Sequence, residues 1–268
     1  MAFPKFTMKD LIEAGVHFGH HTRRWNPKMA PYVFGIKDKV HIIDLGKTVP
    51  MLHAGLTALR NVAAAGGKIL FVGTRPHAAQ MVGETAEACG QFHVNKRWLG
   101  GLMTNWKTVV NSIRKMKKSE ADIANAEALG LTKKETVGME KEVAKLRDTL
   151  GGVMDMNGAP NILFVLDVSK EDLAVEEAVK LGIPIVGICD TNSDPSKIDF
   201  PVPGNDDALG AVRLYLDLAL KAVLDGLEEQ LKRSGADLGA ALNPAAAAAS
   251  APAEEQPAGE KKTEEKDG

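Results

Sequence analysis

Three short stretches of this chain are apolar without any alternation: Ile69-Leu70-Phe71-Val72, Ile162-Leu163-Phe164-Val165-Leu166, and the run from Ile183 to Cys189. Successive side chains of a strand point to opposite faces, so a strand with one wet face alternates apolar and polar residues. A strand that is apolar throughout must be covered on both faces, the condition of a parallel sheet flanked by helices. The intervening segments carry the matching signature. Leu52, Leu56, Leu59 and Ala63 recur at helical spacing over 47–65, with Pro50 read as tolerated in the first turn, and Gly66-Gly67 ends that helix. A second helix is predicted from Pro76 towards Cys89, then a strand over 91–95. Ser169, with Asp172 three residues on, is predicted to cap a helix that Gly182 stops. Asn205-Asp206-Asp207 is predicted to cap a final helix from Ala208 to Leu231, and the prolines beside Ile198–Val202 mark that piece as an edge strand. This alternation predicts a three-layer, doubly wound, mostly parallel α/β sheet of Rossmann or flavodoxin type.

One segment breaks the alternation. Trp106, Val109, Val110, Ile113 and Met116 follow helical spacing, and Thr132 with Glu135 forms a capping box for a second helix with Val143, Leu146 and Leu150 on one line. Residues 105–152 are therefore predicted to be an antiparallel helical hairpin inserted in an α/β domain made of 1–104 and 153–233, with the strands carrying the core without it. From 234 to 268 the chain is rich in Ala, Pro, Glu and Lys and is expected to be disordered. At the other end, Thr7 with Asp10 caps a short helix that Gly15 ends. Val16 to Met29 has neither period and reads as an ordered loop, and Tyr32-Val33-Phe34 and Val40-His41-Ile42-Ile43 read as short strands.

Charge is near balance, formally −2, but unevenly spread. Residues 1–40 hold seven Lys/Arg against three acids, and 251–268 hold six acids against three lysines. Between Val94 and Lys118 there are seven basic residues and no acid. Two runs stand out: Arg23-Arg24-Trp25-Asn26-Pro27-Lys28, and Lys96-Arg97-Trp98-Leu99-Gly100-Gly101-Leu102-Met103-Thr104-Asn105-Trp106-Lys107. Cations beside aromatic rings and glycines suit a surface that grips phosphates and stacks on bases. The competing reading of Trp98 is a core plug beneath solvated cations. His20, Arg75, Lys107 and Arg114 complete the candidate contact set.

Other chemistries fit less well. No Gly-x-Gly-x-x-Gly or Walker-type loop follows a strand, and Gly73-Thr74-Arg75-Pro76 offers few free backbone donors for a phosphate. Asp167 and Asp190 fall at carboxyl ends of strands, where α/β enzymes place catalytic groups, so an enzyme acting on a sugar phosphate or nucleotide with Asp167, Asp190 and Arg75 is the rival reading. With Asp194 and Asp206 they could hold a hard cation, although such residues more often cap helices and brace loops. His17, His20 and His21 have no carboxylate or cysteine near in sequence and stand next to Arg23 and Arg24, so no metal centre and no cofactor is expected. Cys89 and Cys189 lie apart in apolar segments and read as buried thiols of a reducing compartment. With no signal-like start and no spanning run, a cytoplasmic protein with no membrane partner and no small-molecule substrate is expected.

The motifs in order resemble the family of bacterial small-subunit ribosomal protein two. Gly15-Val16-His17-Phe18-Gly19-His20 runs into Arg24-Trp25-Asn26-Pro27-Lys28-Met29, then His41-Ile42-Ile43-Asp44-Leu45 and Phe71-Val72-Gly73-Thr74-Arg75. Arg97-Trp98-Leu99-Gly100-Gly101 with Thr104-Asn105, Asp190-Thr191-Asn192 and Pro203-Gly204-Asn205-Asp206-Asp207 follow. The resemblance covers about residues 5–232. It departs at Ser193, where cysteine is frequent, and at Asn161, where aspartate usually follows proline. It implies a structural, non-catalytic protein bound to 16S ribosomal RNA on the solvent side of the 30S subunit, where head meets body. It also implies contact with neighbouring small-subunit proteins, including help in docking the large mRNA-binding protein.

Overall fold

A computed structural model describes residues 3–126 and 128–234. The expectation for the acidic tail therefore lies outside the described residues. Eight strands are described: β1 Phe18–His21, β2 Val33–Lys37, β3 Val40–Ile43, β4 Ile69–Val72, β5 Phe92–Val94, β6 Ile162–Val165, β7 Ile185–Cys189 and β8 Phe200–Pro203. Seven α-helices accompany them: α1 Met8–Glu13, α2 Leu45–Ala64, α3 Pro76–Ala88, α4 Trp106–Ala124, α5 Lys133–Leu150, α6 Asp172–Leu181 and α7 Leu209–Ser234.

The five strands β4–β8 form one parallel sheet in the order β5-β4-β6-β7-β8. Its strands β4 and β6 are buried on both faces, and alternate residues serve opposite layers. Ile69, Phe71, Ile162, Phe164, Val186 and Ile188 pack with α2, α3 and α7. Leu70, Val72, Leu163, Val165, Ile185 and Cys189 pack with α6 and the segment after β5. Phe71 and Phe164 stand in register on neighbouring strands with ring centroids 5.5 Å apart, a tilted pair that adds to the stabilisation from burial. The direction in which strands are added reverses between β4 and β6, since β5 lies on one side of β4 and the later strands on the other. In open α/β sheets, the loops leaving the carboxyl ends at such a point form a crevice. The doubly wound sheet predicted from the apolar runs is the observed fold.

Local structure differs from expectation in four places. Residues 18–21, read as loop, form β1, which joins β3 and β2 in a three-stranded antiparallel sheet. Its pairing comes from β3 rather than from any alternation of its own. Helix α2 begins earlier than expected, because Asp44 Oδ1 accepts Gly46 N–H at 2.9 Å, which puts Pro50 beyond the first turn. Ser169 caps nothing; α6 starts after Glu171, which is drawn to Thr74 instead. Asn205 Oδ1 accepts the N–H groups of Asp207 and Ala208, so it closes a turn ahead of α7 rather than capping its first residue. The capping boxes at Thr7 and Thr132 are present as predicted.

Helices α4 and α5 lie between β5 and β6 and pack on each other, with Lys115–Glu142 and Arg147–Glu120 ion pairs at 2.6 and 3.0 Å. Their base is not separate from the sheet. Val109, Ile113 and Leu150 are buried in the same apolar cluster as Leu70, Val72 and Leu163, so the strands do not carry the core alone.

Candidate nucleic-acid interface

The second basic run is held by a residue that sequence reading passed over. Glu177 sits on the buried face of α6, and its carboxylate reaches into the loop between β5 and α4. Oε1 accepts Trp98 Nε1–H at 3.1 Å and Gly101 N–H at 2.7 Å. Oε2 accepts the N–H groups of Met103 and Thr104, each at 3.0 Å, and the Thr104 hydroxyl at 3.1 Å. Gly101 adopts φ +85°, a conformation a side chain would strain. Burial raises the Glu177 pKa, but the donors from Thr104, Trp98, Gly101 and Met103 outweigh it and hold the carboxyl below its ordinary value. One anion thus satisfies the loop's inward donors. No motif marks it: a lone glutamate on a helix looks like a solvated face.

Of the two readings of Trp98, the core plug is observed. Trp98 is 6% exposed and buried in the apolar cluster that also holds Leu102, Met103 and Met29. Gly100, Thr104 and Asn105 reach the surface, and Asn105 Oδ1 accepts the Thr108 hydroxyl. Lys96 lies 3.5 Å from Asp148 on α5. Arg97, Lys107 and Arg114 are exposed, with no ion pair among the described residues.

The first basic run lies on a turn of 3-10 helix, Thr22–Arg24, and the start of another, Pro27–Tyr32. It is fixed to the end of β7. Asn26 N–H donates to Thr191 O at 2.7 Å, and His20 N–H donates to Thr191 Oγ1 at 2.9 Å. A Cβ at Gly19 would fall 2.6 Å from Thr191 Cγ2, so glycine is what lets β1 come this close. Asn26 Oδ1 accepts Lys28 N–H, and Lys28 Nζ contacts Asp194 Oδ2 at 2.6 Å and Ser196 Oγ at 3.0 Å. That donation by Lys28 and Ser196 holds the Asp194 pKa down to about 2. Arg23 and Arg24 are exposed and unpaired among the described residues, and Trp25, 40% exposed, stacks on His41 with centroids 5.1 Å apart.

Two candidates are spoken for within the chain. Arg75 donates to Asp167 and Asp207 and lies 3.6 Å from Asp206. His20 Nδ1 lies 2.9 Å from Asp190 Oδ2, and Nε2 3.4 Å from Asp207. The Asp190 contact raises the His20 pKa, with burial opposing it. These side chains brace the crevice at the strand ends rather than projecting from it. His17 and His21 go elsewhere: the first packs at a tilt against Phe18 and the second meets Lys39 O.

The chain is thus a doubly wound α/β protein with two exposed cationic loops braced by internal hydrogen bonds. The family model for ribosomal protein S2 matches residues 11–226, and the chain belongs to that family, whose members are ribosomal structural proteins and not enzymes. The rival reading as an enzyme using Asp167, Asp190 and Arg75 is thereby set aside. The chain is 54% identical over 260 residues to the small ribosomal subunit protein uS2 of Rhodospirillum centenum, covering 95% of this chain and 100% of that one. It is 55% identical over 241 residues to that of Granulibacter bethesdensis, covering 90% and 93%, and 56% identical over 241 residues to that of Paramagnetospirillum magneticum, covering 90% and 91%. No helix among the described residues is long and apolar enough to cross a membrane.

Proposed function

We propose that this chain is a structural constituent of the small ribosomal subunit in the cytoplasm and that it binds 16S rRNA through the two cationic loops. The observation that carries this reading is the contrast in partnering. Arg75 is spent on carboxylates, whereas Arg23, Arg24, Arg97, Lys107 and Arg114 are exposed on braced segments with no internal counter-charge among the described residues. Cations held in place without a partner suit phosphates, and loops that are already ordered lose little entropy on binding. Met29, next to the first run, and Trp98 of the second are buried in one cluster, which supports a single surface on that side of the sheet. Lys28 and Lys96, in exposed pairs, exchange a carboxylate for a phosphate at little cost. Placement at the junction of head and body, and help in docking the large mRNA-binding protein, rest on the family resemblance. Incorporation into 30S particles, compared for wild type and a variant lacking Arg23, Arg24, Lys96 and Arg97, tests the reading; unchanged incorporation of a folded variant refutes it.

A further inference from the structure

The loop that leads from the base of the hairpin to β6 contains Asn157-Gly158, the one asparagine–glycine pair in the sequence. Asn157 is exposed and holds φ +45°, and Gly158 follows with φ +111°. Asparagine enters positive φ more readily than most side chains, and glycine does so freely. A Cβ built on Gly158 would meet nothing within 4 Å, so open space surrounds its backbone. Among the described residues, neither the Asn157 side chain nor the Gly158 N–H makes a hydrogen bond. The loop is held on either side instead. Lys117 Nζ contacts Asp155 at 3.0 Å, Lys68 Nζ donates to Asn157 O at 2.6 Å, and Lys68 N–H donates to Asn161 Oδ1 at 2.8 Å.

A side-chain amide followed by an unhindered backbone nitrogen can cyclise, which is one reason asparagine counts among the thermolabile residues. The asparagines followed by serine or aspartate are shielded from this chemistry. Asn111-Ser112 lies inside α4, whose ladder fixes the backbone. Ser193 N–H, after Asn192, donates to Asp190 O at 3.0 Å. Asn205 Oδ1 is occupied by the N–H groups of Asp207 and Ala208. We infer that Asn157-Gly158 is a self-modification site, at which the folded chain converts asparagine to isoaspartate and aspartate. The Gly158 nitrogen gives its proton to solvent base and attacks Asn157 Cγ. The N–Cγ bond forms, the Cγ–Nδ2 bond breaks, and ammonia leaves, closing a cyclic imide. Water then opens the imide. Cleavage between the nitrogen and the backbone carbonyl carbon leaves isoaspartate, and cleavage between the nitrogen and Cγ leaves aspartate. Isoaspartate inserts one methylene into the main chain between the Lys117 and Lys68 anchors, and either product adds a negative charge there.

The test incubates the folded full chain in mildly alkaline and mildly acidic buffer, beside a sample unfolded in urea. Peptide mass spectrometry follows the gain of about one dalton at each asparagine, and chromatography separates the two isomers. Residue 157 of the folded chain is expected to convert, faster in alkaline buffer, to a product that an isoaspartyl carboxyl methyltransferase accepts. The rate at Asn157 relative to Asn111 and Asn192 should be larger in the folded chain than in urea by roughly fivefold or more, the Boltzmann factor of one net backbone hydrogen bond. Asn157→Gly, which holds φ +45° without strain, should stay folded and lose both the methyl acceptance and the acidic shift on isoelectric focusing. The inference is overturned if Asn157 persists in the folded chain, or if folding leaves its rate relative to Asn111 and Asn192 unchanged or lower.

Discussion

Glu177 and Trp98 are joined by a hydrogen bond of 3.1 Å across 79 residues of chain, from the indole N–H of a loop to the carboxylate of a helix on the same side of the sheet. This bond ties the most distinctive motif of the sequence to a residue that no motif contains. All the groups that meet Glu177 are donors, so the loop's shape depends on the full carboxylate. Glu177→Ala is expected to leave them unpaired and to cost roughly 3 kcal/mol of stability, since each buried unmet donor carries a penalty of about 1–3 kcal/mol. Glu177→Gln should also destabilise, though less, because its amide N–H2 would face donors. Urea unfolding checks both, and a Gln variant as stable as wild type would show that the loop does not depend on the anion.

Glu177 also has a pH signature. Its folded pKa lies below the ordinary value, so its contribution to stability is full above the unfolded pKa of 4.5 and is lost as pH falls through the lower folded value. The acid limb of the stability curve should therefore flatten in Glu177→Gln, as measured by denaturant midpoints at successive pH values below 5.

Asp206 has the opposite sign. Burial, then the charges of Asp167 and Asp190, push its carboxyl up to about 8 against the pull of Arg75. The folded state then holds a proton that the unfolded state has released, and stability falls as pH rises from about 4 through 8. Asp206→Asn should be the more stable form at pH 8.5, by on the order of a few kcal/mol, as read from urea unfolding midpoints.

The two tryptophans of the basic runs should part company. Trp98→Ala removes a buried ring and is expected to cost ~3–5 kcal/mol of folding stability. Trp25→Ala removes a half-exposed ring and should spare stability while costing ~1–3 kcal/mol of binding to 16S fragments, with the salt slope unchanged. Replacing Arg23, Arg24, Lys96 and Arg97 together by alanine should instead lower that log–log slope by roughly 0.7–0.9 per lost phosphate contact. Filter binding across a salt series distinguishes these outcomes.

The hairpin should tolerate trimming at its tip but not removal. Excising 119–138 and closing the gap with a short linker leaves Val109, Ile113 and Leu150 in place and should preserve cooperative unfolding. Excising 108–149 takes Val109 and Ile113 out of the sheet's own cluster and should weaken the transition clearly. Equal stability of the two deletions would show that the base adds nothing to the core.

Much of the architecture is a property of the sequence by itself. Unbroken apolar strands require cover on both faces, and the capping boxes at Thr7 and Thr132 set helix starts through hydrogen bonds three residues long. The basic runs were visible for the same reason, since charge and aromatic content are local. What only the tertiary structure decided are relations between residues far apart. β1 became a strand because β3 pairs with it and Gly19 lets it approach Thr191. Trp98 became a plug because Glu177 waits on α6. Arg75 and His20 meet Asp167, Asp207 and Asp190, which no local motif announces, because a parallel sheet gathers the ends of strands separated by whole helices. Local sequence sets propensity and charge, but which charge a side chain meets depends on the packing that brings distant segments within a few ångströms.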